Sequence, residues 1–249
     1  MASSEKGNEP QRGSALYSLA STGLVSPLTL VFVRHGVTDM TVSHALSGSS
    51  RPGPPLNAAG RIQAAKAADH VYRIGRDRWP RVPVLTRVIA SPMTRAQETA
   101  AALGRRLALT VETEARLREI DFGDWEGLTA HEISEVSGEA IHRWRFGEIP
   151  APGGESIPEV GERVDGYARE LARVHAEQCL AGDNAHRAYA LTSHAVAIKS
   201  FVAHSMRMDR AVWGSLWPQP ASITIVELRV TAEGEIAERH LLCMGETVD

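Results

Sequence analysis

Apolar positions in this chain come in short runs that stop abruptly at polar loops. Leu28 to Val33 is a continuous run that breaks at Arg34-His35-Gly36, the pattern of a buried strand ending in a polar turn. Asn57 to Ile74 then reads as a helix, with Ala64, Ala65, Ala67 and Ala68 as good formers and Ile62 and Val71 offering a packing face. Val84 to Ala90 predicts a second strand, stopped by Ser91-Pro92, and Thr94 to Leu107 a second helix. Ala188 to Thr192 predicts a further strand, ending at Ser193-His194 ahead of an apolar helix over Val196 to Met206. Ser222 to Val230 and Glu235 to Leu242 alternate around Gly234 as a late hairpin. The βαβα alternation predicts an α/β fold with a mostly parallel, doubly wound sheet and an antiparallel edge strand. No internal repeat is visible.

Residues 1–27 show neither period. Six Ser, three Gly and two Pro with cancelling charges read as a flexible tail, leaving one domain over 28–249. A secretory signal is the rival, since Ala15 to Val25 is mildly apolar, but Ser18, Ser21 and Thr22 interrupt it and Glu5 and Glu9 spoil a basic start. No apolar run approaches the ~18 residues of a membrane span. With 27 Lys+Arg against 30 Asp+Glu the chain lacks the basic excess of a nucleic-acid binder. Small anionic substrates held by a few placed arginines fit better. Cys179 and Cys243 lie far apart, which speaks against a zinc cluster or a disulfide framework and makes a reducing cytoplasm the default.

In an open α/β sheet, the carboxyl ends of parallel strands meet at one crevice. Three such ends carry Arg34-His35, Ser91 with Arg95, and His194. Two guanidiniums and two imidazoles together match a phosphate dianion.

Four segments in this order resemble the histidine phosphatase superfamily, which includes the cofactor-dependent phosphoglycerate mutases. They are Leu30-Val-Phe-Val-Arg-His-Gly36, Ser91-Pro-Met-Thr-Arg-Ala-Gln-Glu-Thr99, Leu117-Arg-Glu-Ile-Asp-Phe-Gly-Asp-Trp-Glu-Gly127 and Thr192-Ser-His194. Pro152-Gly-Gly-Glu-Ser156, and Pro55-Leu56 before Gly60 and Gln63-Ala64, are similar too, so the resemblance covers roughly residues 28–243. It implies a three-layer α/β/α sandwich and a phosphomonoesterase that needs no metal or other cofactor. His35 would be the nucleophile that becomes a phosphohistidine. Arg34, Arg95 and His194 would hold the phosphoryl oxygens, and Glu119 would be the general acid, suited by a partly desolvated site. Ser47-Gly48 stands where the family places a Ser/Thr-Gly pair beside the phosphate.

The chain also departs from the pattern. Many members read Arg-His-Gly-Glu-Thr followed by an Asn, where this chain has Val37 and, at the Asn position, Thr41, which the resemblance makes a candidate phosphate contact. Gly-Gly often follows the second histidine, and Ala195-Val196 follows it here, reshaping the pocket wall. Ser193 to Lys199 and Pro220 to Thr224 look most like the α-ribazole phosphatase branch and the acid phosphatase domain fused to ribonuclease H in actinobacteria.

Blander readings stand beside these. His44, His70, His131, His142 and His204 are expected to be structural. Arg95 has a rival role as a surface partner of Glu98 or Glu112, and Asp121, Asp124 and Glu126 compete with Glu119 for the acid. The tryptophans are expected in the core or at a subunit contact; Trp213 to Pro220 is a candidate surface for a homodimer. Trp144 and Arg145 lie where relatives cap the active site. A small phosphorylated metabolite is the expected substrate. A phosphoglycerate mutase and a weakly active module that binds a phosphorylated ligand are the alternatives, the first needing extra cations for which Arg143 and Arg145 are candidates.

Overall fold

The computed structural model describes residues 23–248, so residues 1–22 of the expected tail lie outside the described residues. Pairing begins before the first strand: Leu24 bridges Thr231, and the Val25 N–H donates to the Val230 carbonyl. β1 (Leu28–Arg34) is buried along its whole length. After it come α1 (Asp39–Val42), α2 (Ala58–Arg73), β2 (Leu85–Ala90), α3 (Thr94–Leu107) and β3 (Val111–Thr113). α4 (Ala130–Ser137), α5 (Ala140–Arg145) and α6 (Ile157–Leu180) fill the crossover to β4 (Arg187–Ser193). The chain ends with α7 (Ala195–Ser205), α8 (Arg210–Trp213), β5 (Ile223–Val230) and β6 (Ile236–Glu246).

The strands form a six-stranded sheet in the order β3-β2-β4-β1-β5-β6. β1, β2, β3 and β4 are mutually parallel, β5 runs against β1, and β6 pairs antiparallel with β5. Period-two geometry sorts the uniformly apolar β1 to both sides. Leu28, Leu30 and Phe32 join one core with Val160, Val164, Leu171 and Phe201 of α6 and α7. Val31 and Val33 join another with Ala67, Val71, Ala100 and Leu103 of α2 and α3. Helix pairs therefore cover both faces, giving the expected α/β/α layers.

Differences from expectation are local. The expected packing role of Ile62 is not realised; it lies exposed on α2, while Val71 on the opposite side is buried. β6 continues to Glu246 because the 74–82 loop holds its end, with Trp79 Nε1 and Arg78 donating to the Glu246 carboxylate. The 24-residue α6, absent from the sequence reading, begins with a capping box in which Ser156 and Glu159 satisfy each other's backbone N–H.

Candidate active site

β4 lies between β1 and β2, so the three predicted strand ends are neighbours. Arg34 is in register with Ser193, and Ala90 with Thr192. The residues that follow, His35, Ser91 and His194, leave the sheet side by side. The His35 N–H donates to the Ser193 carbonyl at 3.0 Å, and the His35 and His194 ring centroids are 5.0 Å apart. A close backbone approach fixes the turn after His35: a Cβ on Gly36 would stand 2.4 Å from the Gly60 carbonyl oxygen at the start of α2.

His35 is 5% exposed, and its Nδ1 lies 2.7 Å from the Gly36 carbonyl oxygen. A carbonyl only accepts, so Nδ1 carries the proton and Nε2 keeps its lone pair. Arg95 Nε–H donates to that lone pair at 3.2 Å. Burial, with Arg95 and Arg34 alongside, holds the imidazole well below the usual histidine range. The nucleophile candidate is a neutral imidazole with one defined reactive nitrogen.

Arg95, on the first turn of α3, is 1% exposed. Its Nη2 donates to the carbonyls of Ser47 (2.8 Å) and Gly48 (3.2 Å). The Glu126 carboxylate fixes that loop by accepting the Gly48 N–H. The surface-partner reading of Arg95 falls: Glu112 pairs with Arg87, and Glu98 accepts from the Leu56 N–H. Arg34 Nη1 donates to the Pro218 carbonyl at 2.8 Å. Burial, partly opposed by Glu119 and reinforced by Arg95, brings the Arg34 guanidinium down to about 10.

His194 is buried beside His35, and its Nε2 is 2.7 Å from Ser91 Oγ. Burial first, then Arg95 and His35, keep it neutral. Ser91 Oγ also accepts the Met93 N–H at 3.3 Å; when the Ser91 hydroxyl donates to His194 Nε2, the imidazole proton sits on Nδ1. Four buried polar atoms at this centre, Arg34 Nε, Arg95 Nη1, His194 Nδ1 and Ser47 Oγ, have no hydrogen-bond partner. The two guanidinium nitrogens are obligate donors, and His194 Nδ1 and the Ser47 hydroxyl can also donate, which is the complement of an oxyanion.

Glu119 is buried beside the start of α7. Its Oε1 accepts the N–H of Ile120 (3.0 Å) and Ala197 (3.0 Å), and Oε2 that of Val196 (3.2 Å). Its competitors are elsewhere. Asp121 accepts from Gly123 N–H, and Asp124 and Glu126 line an adjoining cavity of about 690 Å³ that shares Met40 and Ser47 with the one around His35. Arg34, His35, Thr41, Ser47, Arg95, Glu119 and Ala195 line one cavity of about 470 Å³. Thr41, although on this wall, spends its hydroxyl in a capping box with Thr38. The Gly48 N–H is likewise taken, by Glu126.

The model of the histidine phosphatase superfamily (branch 1) matches residues 30–236. The chain belongs to this superfamily. A glucosyl-3-phosphoglycerate phosphatase of Mycobacterium tuberculosis is 34% identical over 188 residues, 75% of this chain and 79% of that protein. The native structure of a mycobacterial glucosyl-3-phosphoglycerate phosphatase matches with a TM-score of 0.75 and 29% identity, covering 89% of this chain and 100% of that one. A bifunctional protein of M. tuberculosis is 39% identical over 140 residues, 56% of this chain; the match spans 36% of that protein's length.

Other contributors to this histidine phosphatase site are not evident from the sequence. Glu155, within the Pro152-Gly-Gly-Glu-Ser156 motif, ties down the turn that carries Glu119: it accepts from Arg118, from the Asp121 N–H and from Arg163. Arg163 of α6 also donates to the carbonyls of Arg116, Arg118 and Glu119. His44, expected to be structural, lines the cavity with a left-handed backbone (φ 59°). His70 and His204 are structural as expected, facing Glu246 and Asp165. Trp144 and Arg145 do not reach the cavity: Trp144 packs on Phe122 and Trp125, and Arg145 donates to the Gly214 carbonyl. Among the described residues no helix is long and apolar enough to cross a membrane, and no group of three or more His, Cys, Asp or Glu clusters at metal-binding distance.

Proposed function

We propose that this chain is a metal-independent phosphomonoesterase that hydrolyses a small phosphorylated metabolite through a phosphohistidine. The observation that carries this is the His35 side chain, whose Nδ1 is committed to a carbonyl and whose Nε2 lone pair faces Arg95 at 3.2 Å among unpartnered donors. On binding, the phosphoryl oxygens take Arg34 Nε, Arg95 Nη1 and His194 Nδ1 as donors, with Ser47 Oγ as a further contact. The His35 Nε2 lone pair forms the N–P bond as the P–O bond to the alcohol breaks, and Glu119 gives its proton to the departing oxygen. The Glu119 carboxylate then takes a proton from water. The water oxygen attacks phosphorus, the N–P bond breaks, and its electron pair returns to Nε2. The sum is ester plus water to alcohol plus inorganic phosphate.

Three of the roughly four lone-pair positions of the Glu119 carboxylate are occupied by N–H groups, leaving one for the travelling proton. Ala195 and Thr41 act as wall residues in this reading, and Gly48 holds the Arg95 guanidinium through its carbonyl. The cations that a mutase would need do not come from the capping segment: Arg143 pairs with Glu148, and Arg145 is bound to Gly214. A cytoplasmic location accords with the free thiols of Cys179 and Cys243. Release of phosphate from p-nitrophenyl phosphate is expected to persist in excess chelator and to vanish in His35→Ala. Full retention in that variant overturns the proposal.

A further inference from the structure

Lys199 lies one helical turn beyond Ala195 on α7 and lines the same cavity as Arg34, His35 and Glu119. Lysines ordinarily bury the stem and send the ammonium to water. This one is 3% exposed. Among the described residues no carboxylate stands at ion-pair distance from it, and its Nζ lies over the Trp217 ring, 5.8 Å from the centroid. Trp217 is 61% exposed on the cavity wall, and the Arg34 bond to the Pro218 carbonyl fixes that wall. The charged groups that face the ammonium are Glu119 from the turn after residue 117, Arg145 from α5 and Arg34 from β1. Glu119 offsets part of the ammonium charge and the two guanidiniums oppose it, so a buried ammonium without an ion-pair partner stays costly unless a further anion joins it. Phosphoryl binding uses the donors around His35 and leaves the three ammonium hydrogens unspent.

We propose that Lys199 binds a second anionic group, carboxylate or phosphate, carried on the alcohol part of the substrate. This rests on the phosphomonoesterase reading and adds to it a selection by charge. The cavity of about 470 Å³ that holds both Lys199 and His35 limits the ligand to a compact molecule. Burial lowers the ammonium to about 8, so the selection weakens as pH rises past that value.

The test compares kcat/KM within two matched pairs of esters. 3-Phosphoglycerate against glycerol 3-phosphate adds a carboxylate, and glucose 1,6-bisphosphate against glucose 6-phosphate adds a phosphate. Wild type is expected to favour the member with two anionic groups in at least one pair by about ten- to a hundredfold, the range of a charge-assisted hydrogen bond. Which pair responds identifies the group. Lys199→Met is expected to bring that ratio close to unity, mainly through KM, and raising the pH above about 8 should erode it in wild type. A ratio within one protein sample does not depend on how much of the variant is folded. Absence of preference in both pairs, or a preference undiminished in Lys199→Met, overturns the inference. Failure of wild type to release phosphate from these four esters and from p-nitrophenyl phosphate removes the phosphatase reading, and this inference with it.

Discussion

Replacing Glu119 by glutamine separates proton transfer from phosphate binding. The carboxylate holds Ile120 and Ala197 N–H on one oxygen and Val196 N–H on the other. A carboxamide oxygen on the first side keeps two of these bonds and sets its NH₂ against the Val196 N–H. That apposed donor pair costs about 1–3 kcal/mol of stability, which a urea titration resolves. The kinetic loss depends on the leaving group. A positioned acid supplies about 10²–10⁴ in rate, or about 3–5 kcal/mol of barrier. The full amount falls on kcat/KM for an alkyl phosphate, whose alkoxide departs only with a proton. Little falls on kcat/KM for p-nitrophenyl phosphate, whose phenolate leaves unaided. In the proposed mechanism Glu119 also activates the water of the second step, so rapid mixing of Glu119→Gln with the aryl ester should release a stoichiometric burst of nitrophenolate and then turn over slowly. Equal losses in kcat/KM for the two esters refute the acid assignment, and a missing burst refutes the role in dephosphorylation.

Acid should destabilise the fold through the two central histidines. Both are held well below 6.5, chiefly by burial and then by Arg95. The unfolded chain therefore gains protons that the folded one refuses, and the stability present above about pH 6.5 is lost below it, at up to about 1.4 kcal/mol per pH unit per histidine. Urea midpoints taken on either side of that pH should fall in acid; an unchanged midpoint contradicts the burial argument. In Gly36→Ala the new methyl meets the Gly60 carbonyl oxygen at 2.4 Å, and the backbone shift it forces should cost about 1–3 kcal/mol and most of the activity. Retention of both measures in that variant would show the turn to be slack. Arg163→Met frees the turn carrying Glu119, so alkyl phosphate hydrolysis should drop more than aryl phosphate hydrolysis, together with stability on the order of 3 kcal/mol. Parallel loss for both ester types would assign Arg163 to the fold alone.

The strands and helices nearest the site are legible because each has a sharp local edge. Asn57 caps α2 with its side chain, and the apolar runs of β1, β2 and β4 end at polar residues. α6 was hidden by its composition: Glu162, Arg163, Asp165, Arg169 and Glu170 interleave with the buried seam of Val160, Val164, Ala168, Leu171 and Ala172. The Ser156-x-x-Glu159 spacing was the available sign of its start. Side-chain placement was less accessible. Thr41 reads as a phosphate contact by position, yet its hydroxyl closes a four-residue helix with Thr38. Lys199 has the period of a surface or packing residue on α7, and only tertiary structure shows that it faces the site under Trp217. Arg163 and Glu155 act through backbone carbonyls and N–H groups, which leave no residue-type signature near Glu119.

The contact between Arg95 and His35 joins two demands that otherwise conflict. Phosphate binding calls for concentrated positive charge, while a nucleophilic imidazole has to stay unprotonated. Here the charge that binds also keeps the imidazole neutral, because Arg95 and Arg34 add to burial in opposing its protonation. The Arg95 Nε–H rests on the attacking lone pair at 3.2 Å, so attack requires that bond to be exchanged. Arg95 Nη1 stands next to it without a partner, and Nη2 is anchored to the Ser47 and Gly48 carbonyls. In the proposed mechanism a phosphoryl oxygen that takes Nη1 draws on a guanidinium already fixed in place, and the lone pair is released to phosphorus as the group to be attacked arrives. The anchoring carbonyls matter as much as the charge: a lysine at position 95 keeps the cation but cannot hold the loop, touch Nε2 and offer a third donor in one plane.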